Sequence, residues 1–503
     1  MTTLADYRNE RLKKLEEIKS LGINPYPSKS FRDTKIADVT SDFDVREGKT
    51  VTIVGRLVAI RSFGKLAFLK LRDSSGEVQV FMTFEELSEK TEKLFNTKRL
   101  RLLDVGDFIE ATGKVGKSST GEISIFTNFV RLLGKTLRPL PGRDGFTNKE
   151  ERYRRRYVDM NVNPEVRERL IRRSKFWQAT RDFMNAHGFV EINTPILEHT
   201  TGGADATPFE THMSALDEDF YLRISQELPL KRLLGGGFEK VYDIGPRFRN
   251  EGVDDEHLPE HIAFESYAAY EDYEDGMNLY EEMIKYVAKE TWGTLKFSIP
   301  GFEIDLDNGG KPWPRIKYSE LLKEKYNVDV FNPDREQLKT ILLEEFKKSE
   351  DKNDTAARKS LDHTLETAST ERLIDHVWKL IRKTSAGPYW LVEEPLSLSP
   401  LAKVVEENPL VTQRFHPIIA GTEMGNGYSE LNDPLDQLER FKFQQSLRDA
   451  GDEEAQMLDE DFVEMLEYGM PPACGWGNSE RNFWLLEGVS GREAVPFPII
   501  KSR

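Results

Sequence analysis

The chain has 503 residues with one cysteine, 31% charged and 38% hydrophobic residues and a formal net charge of -16; this length predicts about two to four domains, and the lone Cys474 excludes an intrachain disulfide framework and a cysteine-rich zinc site. No apolar run approaches the roughly 18 residues a membrane span needs, and the opening MTTLADYRNERLKKLEE lacks the apolar core of a secretory signal, so an unanchored cytoplasmic protein is expected. The charge is divided, with +6 over residues 1–150 and -22 over the remainder, so a basic front that meets nucleic acid is compatible with an acidic whole.

Leu12, Leu15, Ile18 and Leu21 recur among lysines and glutamates and stop at Gly22, predicting a short amphipathic helix over 4–21. From residue 51 the texture changes to VTIVGRLVAI, LAFLKL, VQVFM, DFIEATGKV and EISIFTNFVRLL, separated by turn residues and a charged helical stretch at 84–95. Five short strands of this kind predict an OB-fold β-barrel. Phe63, Phe68 and Phe81 are candidates to stack single-stranded bases on one of its faces, against the plainer expectation that a phenylalanine fills the core. The segment 137–157, rich in Pro, Gly and charge, reads as a linker whose Arg152, Arg154, Arg155 and Arg156 either touch phosphates or pair internally. Asn163 and Pro164 then open a long helix with Val166, Leu170, Trp177 and Met184 on one face, and FVEINTPIL reads as a strand. No second linker follows, which predicts one large mixed domain over 158–503 with an insertion near 325–385.

Phosphate-binding loops of the familiar kinds fail. The GKT and GKS triplets at 48–50, 116–118 and 134–136 lack the glycine four residues earlier, and Gly235-Gly236-Gly237 precedes a strand instead of following one. No serine, cysteine and histidine arrangement offers a nucleophile with its base. Three other stretches carry chemistry in combination: a strand–loop–strand from 241 to 273 that presents Arg249 and Glu251, the small-residue segment GTEMGNGYSELND at 421–433, and GWGNSERNFWLL leading into a helix with Arg481. A guanidinium at the mouth of such a hairpin suits bidentate phosphate recognition.

With GGADATPFETH, LRISQELPLKRLL, FRNEG and above all GNGYSELNDPLDQLERF, the chain resembles the class II lysyl-tRNA synthetases over nearly its whole length, and the class I signatures HIGH and KMSKS are absent. The resemblance implies an α+β protein: an N-terminal helix and lead-in at 1–47, a five-stranded anticodon-binding barrel at 48–136, a linker at 137–157, and at 158–503 a catalytic domain built on an antiparallel β-sheet flanked by helices. It also implies a homodimer through the helix and strand ending at Pro195, with ATP, L-lysine and tRNA(Lys) as partners, Mg2+ as cofactor and no membrane.

Carried across by residue, Arg249, Glu251 and Arg481 would be catalytic. His257, His261 and Glu423 would join them around ATP. Gly203, Glu227, Arg249, Glu265, Tyr267, Asn426, Tyr428 and Glu430 would bind lysine, and Arg61, Phe68, Gln79 and Glu122 would read the anticodon. Glu423 would hold magnesium. Three departures stand out: His416 occupies the place of a second metal-binding glutamate, His261 that of a phenylalanine that stacks on adenine, and Gly475 and Gly477 are followed by Asn478, Ser479 and Glu480 without the third glycine of the family's last motif. Two other readings remain at this point: a paralogue that lysylates protein, and a non-enzymatic RNA-binding relative. An aspartate or asparagine enzyme fits poorly, because three pocket carboxylates repel an acidic side chain.

Overall fold

A computed structural model describes residues 3–502 apart from 64–65, 84–94, 96–98, 143–144, 205, 253, 255–256, 350–353 and 450–455. The chain divides into two units, Met1–Thr147 and Asn148–Arg503. The helical stretch expected at 84–95 falls, Phe95 excepted, outside the described residues.

In the first unit, α1 (Leu4–Ser20) starts at a capping box in which the Thr3 hydroxyl accepts the Asp6 amide and the Asp6 carboxylate accepts that of Thr3. It buries Leu15 and Ile18, while Arg11 and Lys14 on the neighbouring positions bond Thr136 and Asp104, each at 2.7 Å. Five strands follow: β1 (Thr50–Phe63), β2 (Leu66–Arg72), β3 (Glu77–Thr83), β4 (Phe108–Lys117) and β5 (Ile123–Gly134). They close in the order β1-β2-β3-β5-β4. Closure follows from strict alternation: Leu69, Leu71, Val78, Val80, Met82, Ile109 and Ile125 are buried inside, and the residues between them point outward.

The second unit begins earlier than the sequence suggests. Residues 148–157, expected as linker, form the helix Lys149–Arg154 and the start of Arg156–Val162. Arg156 is fully buried, paired with Asp159 at 2.9 Å and donating to the carbonyls of Arg492, Glu493 and Val495. That arginine run is internally paired because its members satisfy the chain's own C-terminal turn. Next, α2 (Pro164–Ala186) opens at Asn163 with Pro164 in its first turn and buries Val166, Phe176, Trp177, Phe183 and Met184.

The central sheet contains β6 (Val190–Glu191), β7 (Lys240–Phe248), β8 (Glu260–Ala269), β9 (Arg315–Lys317), β10 (Tyr389–Val392), β11 (Arg414–Ile419), β12 (Asn426–Ser429) and β13 (Ala473–Ser479), in the order β9-β10-β11-β12-β13-β8-β7-β6. It is antiparallel except at its two margins, where β9 pairs with β10 and β6 with β7 in parallel. FVEINTPIL supplies only β6 and a second two-residue strand, Leu197–Glu198, because Asn193 and Thr194 turn to bond the buried Asp243. Two further helices, α3 (Glu227–Gly235) and α4 (Tyr273–Trp292), flank the sheet. The expected insertion is a helical layer that ends in α5 (Thr370–Arg382), and its Leu373, Val377, Trp378 and Ile381 share a core with Leu391 and Ile418 of the sheet. It belongs to the sheet's own packing and brings α5 to the edge of the site.

Candidate active site

A cavity of about 510 Å³ lies over the sheet in the second unit. Strand register builds its floor. Tyr267 of β8 and Tyr428 of β12 both pair with Gly475 of β13, and Glu265 and Asn426 both pair with Gly477. Directly opposed residues share a face, so two rows of functional side chains converge across a strand that must carry no side chain there. A Cβ on Gly475 would stand 2.1 Å from Tyr267 and 2.3 Å from Glu430. Gly203 closes one wall with φ +80, and a Cβ there would meet that of Glu227 at 2.6 Å. The two glycines that survive from the divergent last motif are the two that the pocket needs.

One end of the cavity is a carboxylate and tyrosine cluster. Glu265 accepts from Arg247 at 2.7 Å, from Ser225 at 3.2 Å and from the Tyr267 hydroxyl at 3.0 Å. Tyr428 donates to Glu227. Lys231, fully buried, lies 2.6 Å from Glu227 and 2.5 Å from Glu430, with the rings of Tyr267, Tyr428 and Phe462 within 6 Å. Glu430 does not reach the cavity wall; it sits one layer behind, where Lys231 is its ionic partner. Burial favours neutral Lys231, but the two carboxylates outweigh burial and raise its pKa. Burial raises the pKa of Glu265 and pushes that of Glu430 up to about 8; with all three carboxylates ionised against Lys231 and Arg247 the formal charge is one negative, matching one ammonium.

The other end is cationic. Arg249, just past the end of β7, and Arg481, opening the helix Arg481–Glu487, line the cavity with Glu251, His257 and His261. Burial first, then Arg247, pushes the Arg249 guanidinium down to about 10, which keeps it charged at neutral pH. His257 stands exposed on the hairpin loop, paired with Asp254 at 2.8 Å. Burial, reinforced by Arg247 and Arg249, pushes His261 down to about 3 from 6.5. Between those values the unfolded chain binds a proton that the folded one refuses, so this residue's contribution to stability is full above pH 6.5 and is lost as pH falls toward 3. His261→Phe is therefore expected to flatten the acid limb of a plot of Tm against pH between 6.5 and 3; an unchanged slope would contradict this.

Glu423 and His416 do lie together, with His416 Nδ1 3.9 Å from the Glu423 carboxylate. The rest of the surroundings does not suit magnesium. Glu423 accepts from Trp378 Nε1 at 2.8 Å and pairs with Arg382 at 3.1 Å. Burial opposes its ionisation, but His416 and Arg382 more than offset burial and hold the pKa below the ordinary value. Among the described residues no group of three or more His, Cys, Asp and Glu side chains is placed to hold a metal ion.

In the first unit, register sets Arg61 opposite Phe68, Phe68 opposite Phe81, and Phe81 opposite Phe126, with Gln79 opposite Ser124. Arg61, Phe68 and Gln79 thus share the outward face, and Glu122 stands exposed just before β5. The rings of Phe63, Phe68, Phe81 and Phe126 form a row with centroids 6.3, 5.0 and 5.2 Å apart, and none of them belongs to the barrel core. Phe126 completes that row and escapes sequence reasoning, although its alternation with Ile125 is a usable sign. Lys231 escapes because Glu227 and Lys231 are four apart on a helix, a spacing that ordinarily marks a solvated pair. Arg247 escapes although it lies two residues before Arg249.

Residues 148–501 match the family described as "tRNA synthetases class II (D, K and N)", and 51–133 match "OB-fold nucleic acid binding domain". The chain belongs to the class II tRNA synthetases of this D, K and N family, with an anticodon-type OB domain at its front. Full-length relatives are named lysine–tRNA ligase: that of Thermotoga maritima is 40% identical over 511 residues, covering 99% of this chain and 97% of its own length. That of Fervidobacterium nodosum is 43% identical (99% and 94%) and that of Carboxydothermus hydrogenoformans 42% identical (98% and 97%).

Proposed function

We infer that this enzyme activates L-lysine with ATP and transfers the lysyl group to tRNA(Lys). The observation that carries the reading is the polarity of the cavity: a carboxylate end with a formal surplus of one negative charge, and a guanidinium end a few side chains away. In this reading the substrate's ammonium enters among Glu227, Glu265, Tyr267 and Tyr428, displacing water for charge-assisted bonds. Asn426 and Gly203 fix the position of the backbone end. Arg249 draws the lysine carboxylate and the ATP α-phosphate together; a carboxylate oxygen attacks the α-phosphorus, the bond to the β-phosphate bridge breaks, and pyrophosphate leaves toward Arg481. A terminal ribose hydroxyl of tRNA then attacks the lysyl carbonyl and releases AMP. No covalent nucleophile is needed, because positioning and positive charge do the work. His261, neutral, stacks on adenine, and Glu251 and His257 steady the nucleotide from the hairpin. Among the described residues no helix is long and apolar enough to cross a membrane, and the substrates place the enzyme in the cytosol.

Two further assignments rest on the same reading. Ile171 of α2, Val190 and Leu197 are apolar and exposed, at 69%, 48% and 45%, on the helix and strands that a second copy of the chain would cover in this reading. The phenylalanine row, with Arg61, Gln79 and Glu122, receives the anticodon. Phe68→Ala is expected to weaken tRNA charging by about 5- to 150-fold, the range of one lost base stack, with lysine-dependent adenylation unchanged; equal loss in both assays would contradict the division of labour. The primary test is ATP–pyrophosphate exchange with each amino acid in turn: lysine alone should stimulate it, and stimulation by aspartate, by asparagine or by none would overturn the reading.

A further inference from the structure

The wall of the cavity formed by α5 and β11 is balanced in charge before any ligand arrives. Asp375 and Lys379 of α5 line it, 2.7 Å apart and both half-exposed. Glu423 has Arg382 at 3.1 Å, and buried Glu394 has Arg414 at 3.0 Å. Each of these carboxylates thus faces its own cation. A resident Mg2+ requires surplus negative charge and near-octahedral oxygen donors at about 2.0–2.1 Å; here a dication would lie against Arg382 with no unmatched carboxylate to hold it. The remaining group is His416, only 6% exposed, with Nε2 3.0 Å from Glu394 and both ring nitrogens buried. A nitrogen ligand is ill-suited to magnesium, so His416 adds nothing to a magnesium site.

We propose that this wall is a polyphosphate site built from side chains, in which Lys379, in the same cavity as Arg249 and Arg481, holds the β- and γ-phosphates of ATP with them, and that magnesium comes only as the ion ATP carries, with none resident on Glu423. The proposal rests on the lysine-activating reading for its ligand. Lys379 is the moving part. Its pair with Asp375 is half-exposed and therefore weak, so the ammonium exchanges a carboxylate for a phosphate at little cost. Arg382 stays on Glu423, locked by the Trp378 indole on the same oxygen, and keeps that carboxylate from repelling the triphosphate.

The test uses the full-length protein with lysine, α,β-methylene-ATP and Mn2+ as a paramagnetic stand-in for Mg2+. Counting bound Mn2+ by EPR should give one ion per bound nucleotide and none without nucleotide; two or more per nucleotide, or ions on the nucleotide-free protein, would overturn the proposal. The K379A variant should raise the KM for MgATP about tenfold or more, the loss of one charged contact, and leave the KM for lysine unchanged; an unchanged KM for MgATP would overturn the role of Lys379. Restoring a surplus carboxylate with His416→Glu and Arg382→Gln together should bring a second Mn2+ into the site, and a count that stays at one would overturn the charge-balance argument. Lysine-dependent exchange is followed in the same wild-type preparation: its absence would remove the lysine-activating reading and the proposal with it, whereas exchange accompanied by two or more Mn2+ would remove the proposal alone.

Discussion

Arg249→Ala is expected to lower lysine-dependent ATP–pyrophosphate exchange by about 10³-fold or more while leaving the fold intact. The magnitude follows from the type of interaction: a fixed positive group aimed at developing phosphoryl charge contributes about 10²–10⁵ in rate, and Arg249 stands where both reacting groups would meet. Stability should hardly suffer, because burial first and then Arg247 push its pKa down, and the attraction of Glu251 and Glu265 does not make up for them. Removing it relieves the cost of burying a charge next to Arg247 and forfeits only the weaker attraction of the two carboxylates. Arg249→Lys restores the charge without the planar fork and should recover only part of the rate. Exchange assays with a parallel Tm measurement check this; a loss under tenfold, or one matched by unfolding, would contradict it.

Lys231→Met should have the largest combined effect on stability and specificity. Lys231 neutralises Glu227 and Glu430 at 2.6 and 2.5 Å in a region closed to water, and removing one partner of a buried ion pair costs about 3–5 kcal/mol. The expected signature is a drop of that size in urea unfolding, together with a KM for lysine raised about 10²-fold as Glu227 is repelled from its position under Tyr428. Adding Glu430→Gln to Lys231→Met removes the orphaned charge and should recover most of the stability. If the single variant kept wild-type stability, the cluster would not be held by Lys231. The surplus of one negative charge makes a second point: three glutamates in sequence suggest a pocket far more acidic than a singly charged substrate requires, and the two buried cations supply the correction.

The barrel and the large mixed domain were legible because their signals are local. Alternation of Leu69, Leu71, Val78 and Val80 with polar neighbours defines strands, and Asn163 with Pro164 defines a helix start, all within a few residues of chain. The linker was misjudged at 148–157 for the complementary reason: a run of arginines beside glycine and proline has the composition of a solvated segment, and only the distant carbonyls of Arg492, Glu493 and Val495 turn Arg156 into a buried brace. The segment near 325–385 reads from sequence only as an insertion; that its helices share a core with the sheet was not legible, since an apolar face identifies no partner until the sheet is assembled beneath it.

By itself the sequence determined the domain order, the OB barrel, the class of synthetase and many of the charged and aromatic residues that line the cavity, because each rests on periodicity, turn chemistry or a compact motif. Only the tertiary structure decided how those residues are charged and which of them touch. Tyr428 and Glu227, 201 positions apart, meet because α3 packs its Leu228, Leu230 and Leu234 into the same core as Tyr428; Trp378 and Arg382 engage Glu423 because the core beneath α5 drives that helix against the sheet. Ion pairing depends on a few ångströms of separation in a poorly solvated interior, and long-range packing, not chain proximity, sets those separations. The -16 of the whole chain therefore resolves, at the site, into one end with a formal surplus of a single negative charge and a guanidinium end beside which the Glu423 carboxylate is already matched by Arg382.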